Sequence, residues 1–131
     1  MTSERGSLSI VVVTGALVLC LFALGAADLG AMLNARARAQ AAADAAALAA
    51  AVEQVPVFAH GEEPAHAARA EAEANGATLL RCECAYGTAE ATVEVSVEVK
   101  LGFVAGWFGR PAHAVARAAV DPDVLSYRDD G

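Results

Sequence analysis

The chain has 131 residues and a formal net charge of −7, with 56% hydrophobic residues but only 5% aromatics. Its one lysine, Lys100, and its scattered arginines do not form the clustered cationic surface that phosphate binding needs, which argues against nucleic acid as a partner. Three cysteines make no paired disulfide framework, and outside the apolar N-terminal half only about 60 residues remain for one small globular unit.

Residues 1–6 read as a short polar leader and residues 7–27 as a transmembrane helix. Gly6 to Ala27 carries no formal charge, long enough for the roughly 20 residues that cross a bilayer. A buried helix of a soluble protein would interrupt such a run with a polar face. A cleaved secretory signal is the rival reading, since Ala23-Leu24-Gly25 and Gly25-Ala26-Ala27 resemble small-residue cleavage sites. The run, however, exceeds the usual core of a signal peptide, so a retained span is the expectation. Ala26 and Gly30, four apart, would let a second helix approach closely. Cys20 lies inside the span as apolar filler.

Residues 28–55 continue the helix in water. No proline occurs before Pro56, and alanine is the best helix former. Arg36, Gln40 and Asp44 fall at i, i+4 and i+8, a polar stripe on an alanine surface suited to close helix packing. Val55-Pro56 ends the helix.

Glu4-Arg5-Gly6-Ser7, the span, Asp28-Leu29-Gly30 and the run Ala35-Arg36-Ala37-Arg38-Ala39-Gln40-Ala41-Ala42-Ala43-Asp44-Ala45-Ala46-Ala47-Leu48-Ala49-Ala50-Ala51 together resemble the N-terminal region of TadE/TadG-like proteins. These are minor, pilin-like components of tight-adherence (Flp-type) pilus systems. The size is similar to that of actinobacterial TadE-like proteins found among secretion and pilus-assembly genes. The resemblance is dense over residues 4–51. It implies a single-pass protein of the inner (plasma) membrane with an extracytoplasmic C-terminal head, and partners among other pilin-like subunits of the apparatus. It also implies a candidate processing site between Gly6 and Ser7. Pilin-like proteins carry Glu at the fifth position after that cut, where this sequence has Val11. The excess of Arg36 and Arg38 over Arg5 argues, by the positive-inside rule, for the opposite orientation.

Residues 56–120 read as a small α+β head and residues 121–131 as a flexible acidic tail. Glu63-Pro64 starts a short second helix with Pro at its first position, and Asn75-Gly76 stops it. Leu80, Cys82, Cys84 and Tyr86 alternate with Leu79, Arg81 and Glu83 as a half-buried strand. Val93, Val95, Val97, Val99 and Leu101 alternate strictly with polar residues, the clearest strand in the chain. After a glycine-punctuated apolar connector, Ala114, Ala116, Ala118 and Val120 face inward along a third strand. A three-stranded antiparallel sheet laid over helical alanines is the economical arrangement.

Chemistry finds little footing. Cys82-Glu83-Cys84 with His60, His66 and His113 lacks the spacing of a zinc site, so no metal or other cofactor is expected. An internal bond between Cys82 and Cys84 would strain an extended strand, so two buried thiols are expected, either one able to form an intermolecular disulfide if the head is extracytoplasmic. No nucleophile elbow, phosphate loop or paired acidic motif is present, and neither enzymatic activity nor a small-molecule substrate is expected. Phe103, Trp107 and Phe108 are the best candidates for partner contact, against the alternative that Phe103 and Phe108 cap the open end of the sheet. The expected function is that of a minor pilin-like subunit or assembly factor. The alternative is a secreted or membrane-anchored binding module.

Overall fold

In the computed structural model, residues 4–99 and 110–121 are described, with side chains from Leu8 onward. Helix α1 (Glu4–Glu53) runs 50 residues without a break, and helix α2 (Pro64–Ala74) follows. Strands β1 (Thr78–Glu83), β2 (Glu90–Val97) and β3 (Ala112–Ala119) form an antiparallel sheet in the order β1-β2-β3. This is the expected α+β arrangement of a long helix, a short helix and three strands.

The core is almost entirely methyl groups. Ala39, Ala42, Ala43, Ala46, Ala47, Ala50 and Ala51 of α1 are fully buried, as are Ala68 and Ala72 of α2 and Ala91, Val93 and Val95 of β2. The alanines recur every three or four residues, which keeps them on one side of the helix. Inward residues alternate along β2 and β3 as the pattern predicts, with Ala114 and Ala116 buried and Val115 exposed. α1 packs against β2, β3 and α2, so the head is built around its C-terminal half.

β1 departs from the expected alternation. Its register against β2 shifts between Leu79 and Arg81, inserting Leu80 as an extra residue. Leu79 therefore packs against the core, while Leu80 and Tyr86 are exposed. A bulge changes which parity faces inward, and strict alternation has no means of announcing one.

The helix ends are held in different ways. α2 closes with a Schellman motif: the Ala77 N–H donates to the Ala72 carbonyl at 2.9 Å and the Gly76 N–H to the Glu73 carbonyl at 3.0 Å. Gly76 takes the left-handed φ of 72° that the motif requires. At the end of α1, the buried Glu53 carboxylate accepts from the His60 N–H at 2.9 Å, the Glu62 N–H at 3.1 Å and the His60 ring Nδ1 at 2.8 Å. Next to it, Gln54 Nε2 donates to the Glu90 carbonyl at 3.0 Å. Gln54 Oε1 accepts from the Glu90 N–H at 3.1 Å and the Thr88 hydroxyl at 3.0 Å. One side chain thus mimics a strand partner and pins the start of β2 to the end of α1.

The hydrogen bond from the His60 ring holds the Glu53 carboxyl below its ordinary value of 4.5. Burial opposes that shift, and the His60 and Glu62 backbone N–H groups reinforce it. A carboxyl that ionises more readily when folded stabilises the fold fully above the unfolded value. That contribution is lost as pH falls through the lowered folded value. Thermal unfolding followed against pH should therefore show an acid limb below about pH 4.5. Glu53→Gln should lower stability at neutral pH and flatten that limb. Ala46→Leu, which inserts three heavy atoms between α1 and the sheet, should cost about 1–3 kcal/mol in chemical denaturation.

Candidate functional site

The surface of α1 that the head leaves uncovered is the candidate site. Leu8, Ile10, Val11, Val12, Val13, Leu17, Leu19, Leu21, Phe22, Leu29 and Leu33 are all exposed, and they lie on every side of the helix. α1 is the one described helix long and apolar enough to cross a membrane, and its most apolar window has no residue buried by the rest of the chain. A surface of this kind is stable only in lipid or against other helices.

Beyond the apolar segment, α1 has two unlike sides. At 3.6 residues per turn, Ala35, Ala39, Ala42 and Ala46 lie under the head, while Arg36, Ala37, Gln40, Ala41 and Asp44 face outward. Gln40 Nε2 donates to Asp44 Oδ1 at 2.9 Å, tying two members of the stripe together. Arg36 is exposed in the same row, one turn earlier. The predicted stripe is thus present as a solvated edge beside small alanines.

Ala26 and Gly30 are likewise exposed. A side chain built at Gly30 would meet nothing within 4 Å, and the same holds at Gly15 and Gly25. The chain's own packing therefore gives no reason for these glycines.

The remaining predicted residues are dispersed. Gly6 and Ser7 lie inside α1 by backbone, with side chains outside the described residues. Phe103, Trp107 and Phe108, and the acidic tail beyond Asp121, are outside the described residues. The residues that flank the aromatic connector are described: Val97 pairs with Ala112 at the end of the sheet. Val97 and Glu98 border the same groove as Ala31, Asn34 and Arg38, near where α1 leaves its apolar segment. His60 and His66 pair with Glu53 and Glu62 at the α1–α2 junction, while His113 lies near Glu94 on the outer face of the sheet.

One expectation is corrected. Cys82 and Cys84 are not two buried thiols but a disulfide, with Cα atoms 5.4 Å apart. The objection assumed that both residues lay in an extended strand. β1 ends at Glu83, so the backbone is free to bring Cys84 within the ordinary range for such a bond. The roles of Glu53 and Gln54 were not foreseen, because their partners belong to turns whose geometry periodicity does not describe. One signal was present: a carboxylate in the last turn of a helix opposes the helix dipole, so Glu53 needed donors from elsewhere.

If the open face at Gly30 serves contact between chains, Gly30→Leu should leave secondary structure and unfolding of the head unchanged. It should weaken self-association or partner association in lipid by roughly threefold to fifteenfold, the worth of single interhelical contacts in membranes. Energy transfer between labelled chains in vesicles would measure this.

Comparison with known families places the similarity on this same helix. Residues 6–53 match the family model for Flp pilus-assembly TadE/G-like proteins. No curated protein and no solved structure matches the chain. The matched segment is α1 almost from end to end, so this helix is similar to TadE/G-like proteins, as its sequence resemblance implied.

Proposed function

We propose that this protein is a minor pilin-like subunit or assembly factor of a Tad/Flp-type pilus or a related secretion apparatus. It is anchored by one span and holds its head outside the cytoplasm. The observation that carries this reading is the two-sided α1: one face sealed by the head, the other open from the lipid segment to Asp44. The match over residues 6–53 supports a pilus-associated role for that helix. The protein acts through helix packing with other pilin-like subunits rather than through catalytic turnover. It binds neither nucleic acid nor a small-molecule substrate.

The Cys82–Cys84 disulfide supports an extracytoplasmic head, since disulfides persist in oxidising compartments. This weighs against the orientation favoured by Arg36 and Arg38. Those two arginines lie in a segment that the head covers on one side, and a folded domain crosses largely regardless of a few flanking charges. Val11, in place of the pilin-type Glu, leaves no carboxylate to pair with a neighbouring subunit's terminal amine. Membership of the apparatus is therefore the proposal, without polymerisation through that pair.

The mature N-terminus is the deciding measurement. A start at Ser7 is expected for prepilin-type processing and an intact Met1 for an unprocessed anchor. A start near Asp28 would instead make the chain a secreted binding module and sink the proposal. A periplasm-type reporter fused after Gly131 should be active, and activity confined to a cytoplasmic reporter would overturn the topology.

A further inference from the structure

The Cys82–Cys84 bond gives the fold little that it does not already have. Cys82 is held in the β1–β2 ladder opposite Val93, between Arg81 opposite Glu94 and Glu83 opposite Thr92. The disulfide joins it to a residue only two positions away, not to another element. Loop-closure stabilisation rises with the length of chain enclosed and is least for such a short loop. A structural staple would be expected to span distant segments, and this one spans none.

The position of the bond suits chemistry instead. β1 is an edge strand, and Cys84 lies just beyond its end. Both sulfur-bearing residues are half-buried, with their inner sides against the core. Cys84, but not Cys82, lines an open groove of about 450 Å³ bordered by Glu83, Thr88, Glu90, Thr92 and Arg117. The floor is braced by the Arg117–Glu90 ion pair and by the Thr88 hydroxyl's bond to Gln54. Cys84 therefore borders a groove that Cys82 does not reach.

We propose that Cys82–Cys84 is an exchangeable disulfide, through which the head forms a mixed disulfide with a cysteine thiol of a partner protein. The incoming thiolate bonds to Cys84 Sγ from the groove. The Cys82–Cys84 bond breaks, and Cys82 leaves as a thiolate and takes a proton from solvent. Once Cys82 returns that proton to solvent, its thiolate can attack Cys84 Sγ again, re-forming the original bond and releasing the partner as its thiolate. No external oxidant is consumed in either direction. The exchange rests on the head's placement outside the cytoplasm only for how the bond is first made, so its failure would leave the topology test untouched.

The test uses the full chain in detergent micelles, purified without reductant and equilibrated with mixtures of reduced and oxidised glutathione. Acid quenching, alkylation and peptide mapping then read the state of each cysteine. The expected result is an intact bond on purification that opens at ratios at least about 100-fold less reducing than a structural disulfide requires. With Cys82→Ala, oxidised glutathione should leave a stable adduct on Cys84. With Cys84→Ala, the adduct on Cys82 should form at least about tenfold more slowly, because Cys82 is held in the β1–β2 ladder and does not line the groove. Free thiols on purification would overturn the proposal, as would a bond that stays closed at every ratio or equal rates in the two variants. The wild-type titration decides the matter if either variant fails to fold.

Discussion

Everything in the head depends on how closely a sheet can lie on a helix. An alanine face allows the nearest approach a side chain permits, and alanine loses no rotamer freedom when buried. Its cost is that each methyl removes little surface from water, on the order of 0.8 kcal/mol per buried carbon. The core must therefore be won by number and fit, and the largest fully buried side chains besides Pro64 are Val93 and Val95. A core of this kind has few bulky groups to shift and no slack to absorb one that is added. Its uniformity also leaves register to be set elsewhere. That task falls to the polar contacts at the far end of α1, where Gln54 grips Glu90 and Glu53 gathers the turn that leads to α2.

The same helix serves two solvents. At 1.5 Å per residue, 50 residues extend about 75 Å, far beyond the diameter of the head. From Leu8 to Ala27 the helix is apolar on all sides and exposed, while its C-terminal half is apolar on one side and covered there. No proline or glycine hinge separates the halves near Asp28, and Gly25 and Gly30 are accommodated within regular helix. The apolar segment and the scaffold of the head belong to one continuous helix.

Much of this was legible in the residues. The uncharged run, the alanine periodicity, the Pro64 start, the Asn75-Gly76 stop and the alternation of β2 and β3 each follow from a single local rule, and each appears where that rule puts it, except that β2 stops at Val97, short of Val99, and Leu101 lies outside the described residues. What escaped depended on more than one segment at once. The bulge at Leu80 reflects pairing with β2, and it reversed the expected facing of Leu79 and Leu80. The Cys82–Cys84 bond depends on β1 stopping at Glu83. Glu53 and Gln54 look like ordinary polar ends of a helix until His60, Glu62, Thr88 and Glu90 arrive beside them. For the candidate site, the stripe of Arg36, Gln40 and Asp44 was visible from spacing alone. That its side stands opposite the head required the strands to be placed.

The phase of α1 has a further consequence. Gly30 and Ala39 are nine residues apart, about 180° around an α-helix, so the open glycine looks away from the face on which the sheet rests. Ala26 lies within a small angle of Gly30. Chains that met through these positions would gather their helices at a common axis and turn their sheets to the periphery. A bundle of that geometry would display its surface-accessible chemistry, including the sulfur pair at the end of β1, on its outer wall. The handedness of one helix would then determine which parts of the assembly its surroundings can touch.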